Sequence, residues 1–232
     1  MHKTLIIAHR GASGYEPENT LAAFRAAEAL HADAIECDVQ VCRSGEVVIF
    51  HDRKLKRITG AKGKLKRKKL PQLLSLDAGK GEHIPTLKET LDMLDARIDM
   101  NIELKSKRSA LPAAQVVRNS IRTGHWKAAN FFVSSFYFRE LRRFHEAVPE
   151  IPVSLLYEKR PRHLKRRIHL LKPSAVHLNA KAVKDKWIET AHGLGLKVYV
   201  WTVDDPALAE TLRAKGVDGF FSNYPDRLMK KK

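Results

Sequence analysis

The sequence predicts an α/β fold, a (β/α)8 barrel of TIM type with a small basic insertion after its third strand. Two observations carry this expectation. Short, largely β-branched apolar runs recur at 4–8, 34–39, 47–50, 99–104, 131–134, 152–156, 175–178, 197–203 and 219–221, and helix-like stretches lie between most of them. Strands alternating with helices build parallel sheets, because a parallel crossover needs a connection of helix length. Dividing the 232 residues by eight leaves about 29 per unit, enough for one strand, one helix and short loops.

The elements follow in order. The first strand, 4–8, ends at His9-Arg10-Gly11, and a helix spans Asn19 to Leu30 with Leu21, Phe24 and Leu30 at helical spacing. Asn19 is placed to cap that helix. The second strand holds Glu36, Cys37 and Asp38. The link from Val39 to Glu46 is too short for a crossover helix, so 47–50 is expected to return as an extended arm or hairpin. That run makes nine candidates for eight barrel places, and an open doubly wound sheet is the alternative. Residues 53–69 carry ten Lys/Arg and no acid. They open an insertion of about 53–86, read either as a solvated basic loop or as a binding surface. Helices at Lys88 to Ala96, Ala113 to Ile121, Tyr137 to Ala147, Asp185 to Leu194 and Asp205 to Lys215 then separate the remaining strands. One domain is expected to span 1–232.

Composition narrows the partners. Lys+Arg number 43 against 26 Asp+Glu, a net charge of +17, which favours anionic partners: phosphorylated small molecules, lipid headgroups or nucleic acid. Cys37 and Cys42 are too few for a disulfide framework and read as reduced thiols. The apolar stretch after Met1-His2-Lys3-Thr4 is too short for a signal peptide, and no run approaches a membrane span. A cytoplasmic protein is the expectation.

Catalytic groups of a barrel sit at the C-terminal ends of its strands. Glu36 and Asp38, two apart on a strand, share a face, with Cys37 on the other. Glu103 ends the strand 99–104 and Lys105 shares its face. Carboxylates gathered inside a barrel repel one another and lose hydration unless a cation holds them. Glu36, Asp38 and Glu103 are therefore candidate ligands of a hard divalent ion, Mg²⁺ or Ca²⁺. Pairing with Arg10 or Lys105 is the alternative for any one of them. His9 and His51 close two strands and titrate near neutrality, which suits an acid and a base. Arg10 and Lys105 offer donors for phosphate oxygens. The other histidines, His31, His83, His145, His177 and His192 among them, are read as surface or incidental.

These motifs, met in order, resemble the glycerophosphodiester phosphodiesterase family. The likeness runs through His9-Arg10-Gly11, Pro17-Glu18-Asn19-Thr20, Glu36-Cys37-Asp38-Val39, His51-Asp52, Ile84-Pro85-Thr86-Leu87 and Ile102-Glu103-Leu104-Lys105. It closes with Val200-Trp201-Thr202-Val203 and 219–225. It implies His9 as general base, His51 as general acid, Glu36, Asp38 and Glu103 as ligands of Mg²⁺ or Ca²⁺, and Arg10 and Lys105 near the phosphate. Glu18 and Trp201 are further candidates for substrate contact, packing being the simpler role for Trp201. It also implies cleavage of deacylated phospholipids to sn-glycerol 3-phosphate and an alcohol, the adjacent glycerol hydroxyl attacking first to form a cyclic phosphate. Ser222-Asn223 departs from the Thr-Asp of many relatives.

Two other functions are compatible with the charge. A phospholipase D-like enzyme could cleave lysophospholipids, with the insertion and the lysine tail 230–232 facing an anionic membrane. A nucleic-acid-binding module would use the same basic runs, although these lack interleaved aromatics.

Overall fold

The computed structural model describes residues 3–161 and 163–229; the lysine tail lies outside the described residues. The strands are β1 (Leu5–Ala8), β2 (Ala34–Val41), β3 (Val47–Ile49), β4 (Asp99–Leu104), β5 (Phe131–Ser135), β6 (Val153–Tyr157), β7 (Ala175–Asn179), β8 (Lys197–Trp201) and β9 (Gly219–Ser222). Eight of them are parallel, in the order β1-β9-β8-β7-β6-β5-β4-β2, and a β1–β2 pairing closes the ring. The register that closes it sets Ile7 opposite Ala34 and Ala8 opposite Ile35. A closed ring excludes the open doubly wound sheet. The surplus run is β3, which folds back antiparallel on β2, with Val39 opposite Ile49 and Val41 opposite Val47. Its place outside the ring follows from the short turn before it.

The helices are α1 (Leu21–Ala29), α2 (Lys56–Thr59), α3 (Leu70–Leu74), α4 (Leu87–Leu94), α5 (Ala110–Thr123), α6 (Phe138–Ala147), α7 (Leu164–Leu171), α8 (Asp185–His192) and α9 (Pro206–Ala214). Helix α7 has no counterpart among the expected helices. Its apolar positions, Leu164, Ile168 and Leu171, keep helical spacing among basic residues that mask the pattern. Thr20, rather than Asn19, caps α1: its hydroxyl accepts the Ala23 N–H. Asn19 instead takes a left-handed backbone, φ 61°, that frees its side chain for another task.

Strand alternation sorts the apolar residues into two layers. Ile6, Ala8, Ile35, Cys37, Val39, Ile102 and Leu104 join the large core under the helices. Ile7, Ala34, Ala175, Tyr199 and Phe221 fill the inside of the barrel. Strand β3 is two-sided: Val47 and Ile49 face the large core, and Val48 faces a third cluster with Phe50, Leu55, Leu65, Leu73 and Ile84. The insertion expected as an exposed loop thus has its own small core, and only its charged faces are solvated. Leu55, Leu65 and Leu73 are fully buried among its lysines. Loss of that apolar area to water would cost about 1.5–3 kcal/mol per side chain, enough to keep the segment folded against the barrel.

His177 corrects a second expectation. It is 1% exposed inside the barrel, between the rings of Tyr199 and Phe221 at 5.3 and 4.9 Å, and its Nε2 has no hydrogen-bond partner. Burial pushes its pKa down to about 3. Above about pH 6.5 the imidazole is neutral folded and unfolded, so it does not affect stability. As pH falls below that value the unfolded chain takes up a proton that the folded one refuses, and stability drops by up to about 1.4 kcal/mol per pH unit. Urea unfolding at pH 6.5 and 4.5 should therefore show His177→Leu losing roughly 2 kcal/mol less over that interval than the unmodified chain. An identical loss in both would rule out a neutral buried His177.

Candidate active site

The polar residues meet where β1, β2 and β4 end. Strand periodicity points Glu36 and Asp38 inward, and the β2–β4 register sets Asp38 directly opposite Glu103. Oxygens of Glu36, Asp38 and Glu103 lie within 4.8 Å of one another, and all three residues are buried. The chain leaves β1 through Arg10, whose φ of 57° turns its N–H onto Glu36 Oε2 at 2.8 Å. Gly11 follows at φ 78°; a Cβ there would lie 2.6 Å from the Ala23 carbonyl carbon, so only glycine fits. The Arg10 side chain reaches Asp38 through Nε at 3.2 Å, and Lys105 Nζ lies 2.7 Å from Glu103 and 3.3 Å from Asp38. Asn19 clasps Asp38 from behind: its amide donates to Oδ2 at 2.9 Å, and its Oδ1 accepts the Asp38 N–H at 3.1 Å.

Three carboxylates therefore face two cations. Burial, then Asp38 and Glu103, push Glu36 well above the usual carboxylate range. Burial and Asp38 raise Glu103 to about 7. Burial also opposes the Asp38 anion, yet Lys105 and Arg10 hold that group well below its ordinary value. Asp38 and Glu103 in turn raise Lys105 against the effect of its burial. Glu36 and Glu103 are thus both pushed toward the protonated form for want of positive charge. An oxygen-only donor set starved of positive charge fits a divalent cation, which would return both groups to their ionised state.

The two histidines have partners of opposite character. His9 Nδ1 lies 2.8 Å from Asn223 Oδ1. The Asn223 amide donates to Asp204 Oδ2 at 2.7 Å, which fixes its oxygen toward His9. His9 must then carry its proton on Nδ1 and a lone pair on Nε2. Burial and Arg10 lower its pKa to about 4, so the ring is neutral. His51 Nδ1 instead lies 2.6 Å from the Asp52 carboxylate. Burial, with Arg10 and Lys105, holds the His51 pKa below the ordinary histidine value, although Asp38 and Asp52 favour its charged form.

A cavity of about 270 Å³ opens onto these groups. His9, Arg10, Glu36, His51, Glu103 and Lys105 line it, together with apolar Phe136, Leu156, Trp201 and Phe221 and with Glu158. Trp201 thus stands in the cavity wall, edge-on to Phe136 at 5.8 Å. Asp38 sits just behind the wall. Glu18 does not line the cavity: Arg10 and Arg57 occupy both of its oxygens. Sequence reasoning missed Asn223, Asp204, Asp52 and Arg57 as partners of the site. Asp52 alone left a local signal, being adjacent to His51.

A model of the glycerophosphoryl diester phosphodiesterase family matches residues 9–227. The chain belongs to the glycerophosphoryl diester phosphodiesterase family. It is 34% identical over 239 residues to a glycerophosphodiester phosphodiesterase of Caldanaerobacter subterraneus, covering 98% of this chain and 97% of that one. A Bacillus subtilis glycerophosphodiester phosphodiesterase is 31% identical over 255 residues, covering 99% and 87%. Among solved structures, a phosphodiesterase of Oleispira antarctica in complex with the product sn-glycerol-3-phosphate superposes with a TM-score of 0.89. It is 30% identical, covering 97% of this chain and 94% of that one.

The charge deficit in this family member can be measured without substrate. Calorimetric titration of chelator-treated protein with Mg²⁺ or Ca²⁺ should show one site per chain. Glu103→Gln should weaken that site by at least about tenfold, since a hard cation loses one of few anionic oxygens. Unchanged affinity would remove Glu103 from the donor set.

Proposed function

We propose that this chain hydrolyses glycerophosphodiesters to sn-glycerol 3-phosphate and an alcohol, with His9 as general base and His51 as general acid. Membership of the family and the product in the Oleispira antarctica structure support the substrate class. The single observation that carries the assignment of roles is the convergence of both histidines, Arg10, Lys105 and the carboxylates on one cavity.

Glu36, Asp38 and Glu103 would hold Mg²⁺ or Ca²⁺, both of which prefer oxygen donors. When bound there, such an ion neutralises phosphoryl oxygen charge and aligns the reacting groups. Arg10 and Lys105 pin the phosphate oxygens, Lys105 also lying 5.5 Å from the Phe136 ring centre. His9 Nε2, with its lone pair free, takes the proton from the neighbouring glycerol hydroxyl as that oxygen bonds to phosphorus. The bond to the alcohol oxygen breaks, and His51 supplies the proton the alcohol needs. Water then opens the cyclic phosphate with the proton transfers reversed, leaving sn-glycerol 3-phosphate. The aromatic rings of Phe136, Trp201 and Phe221 in the lining lower the local dielectric, which strengthens the charge interactions beside them.

The enzyme is assigned to the cytoplasm on its buried thiols, Cys37 and Cys42, which are free. Among the described residues no helix is long and apolar enough to cross a membrane. The basic insertion presents Lys54, Lys56, Lys62, Lys64, Arg67 and Lys68, beside Arg43 of the β2–β3 turn, around a hollow of about 580 Å³. That field should draw anionic diesters toward the mouth and give at most a weak hold on an anionic membrane.

His9→Ala and His51→Ala should each lower turnover of glycerophosphocholine by at least about 10²-fold with the fold intact by circular dichroism. Near-normal turnover in either variant removes that residue from the mechanism. Replacing Lys66, Arg67, Lys68 and Lys69 together by Gln should lower kcat/KM at low salt and leave kcat unchanged. The difference should fade toward physiological salt, where screening acts over about 8 Å. Equal kcat/KM at every ionic strength would show that the insertion does not steer substrate, and lost binding to phosphatidylglycerol vesicles would favour the membrane.

A further inference from the structure

Among the ten cations of 53–69, Arg57 stands apart. Of those ten it alone forms ion pairs with acids among the described residues, to Asp52 and to Glu18. Its Nε donates to Asp52 Oδ2 at 2.7 Å and its Nη2 to Asp52 Oδ1 at 3.0 Å. Nη1 and Nη2 also donate to Glu18 Oε2 and Oε1, both at 2.8 Å. Each acid shares one of the oxygens that accept from Arg57 with a residue of the cavity. Asp52 Oδ1 is 2.6 Å from His51 Nδ1, and Glu18 Oε1 accepts from Arg10 Nη1 at 2.8 Å. One guanidinium therefore ties together the acids behind His51 and Arg10.

Resting on the hydrolase reading above, we propose that Arg57 is a positioning residue, which keeps His51 aimed for protonation of the leaving alcohol. Without it Asp52 would be free to rotate away from the imidazole, and Glu18 and Asp52 would lose the charge that separates them. The Arg57 contacts push Asp52 down to about 2, so its carboxylate is ionised throughout the working range. An ionised partner on Nδ1 fixes the tautomer and orientation of the ring. Arg57 is itself held by the insertion. Leu55, just before α2, is fully buried in the insertion's core, and Ile58 packs against it, so the turn they anchor carries Arg57. The core of the insertion thereby fixes a side chain at the active site.

Arg57 is 46% exposed, and ion pairs of that kind contribute little to stability. Small displacements of a proton donor are costly to rate, so the expected signature is normal folding with impaired chemistry. Two esters separate proton donation from general damage. Choline leaves as an alkoxide that needs a proton; 4-nitrophenolate leaves without one. Arg57→Ala is expected to lower kcat on glycerophosphocholine by about tenfold or more, with KM little changed. In the first turnover of glycerol 3-(4-nitrophenyl phosphate), read as 4-nitrophenolate release, the loss should stay below about threefold, matching the pattern of His51→Ala on the two esters. Arg57→Lys should fall between, since an ammonium cannot fork to two carboxylates, and added guanidinium should partly restore Arg57→Ala. An equal loss on both esters in Arg57→Ala, with His51→Ala still selective, overturns the positioning role and leaves the hydrolase reading intact. Equal losses in His51→Ala as well remove the acid role of His51 and the proposal with it.

Discussion

The confinement of three carboxylates, Glu36, Asp38 and Glu103, within 4.8 Å of one another in a buried site governs the rest of the structure. Ionised groups so placed repel and cannot be hydrated, so the surroundings must supply positive charge or protons. Arg10 and Lys105 supply part of it, Asn19 fixes the orientation of Asp38, and the Arg10 amide satisfies Glu36. Each demand reaches back into the backbone. The left-handed turn at Arg10, the glycine packed on Ala23 and the left-handed Asn19 all serve to bring donors onto those oxygens. The remaining deficit is the place a divalent cation would fill.

The same economy of charge separates the two histidines. His9 is enclosed beside a cationic Arg10 and meets a neutral amide, so its ring stays neutral with Nε2 free. His51 meets a carboxylate that Arg57 keeps ionised. The two rings thus face a neutral amide and an ionised carboxylate, and the difference between them lies in the groups behind them. With Asn at 223, Asp204 acts through the amide and its charge does not touch the ring, which preserves the neutral form of His9.

The insertion shows how a charge run can combine two roles. Among the described residues the lysines of 53–69 form no ion pair with an acid, and several of them surround a hollow of positive potential. Beneath them Leu55, Leu65 and Leu73 pack with Val48 and Phe50, so the segment is an appendage of the β2–β3 hairpin with a fixed attachment. That attachment permits a single arginine among the ten cations to reach the active site at a defined angle.

The amino-acid sequence by itself determined the strand and helix rhythm, the strand-end positions of His9, Glu36, Asp38, His51, Glu103 and Lys105, and the family. Each is a local property: side chains two apart on a strand share a face whatever the rest of the chain does. It did not determine that the ring closes through β1 and β2, that α7 exists within a basic stretch, or that Thr20 rather than Asn19 caps α1. Nor did it reveal that His177 is enclosed, that Asn223 orients His9 from 214 residues away, or that Arg57 joins Asp52 to Glu18. Those depend on tertiary structure, because barrel closure brings strand ends that are remote along the chain within hydrogen-bonding distance. No periodicity in the sequence records which of those ends will face each other.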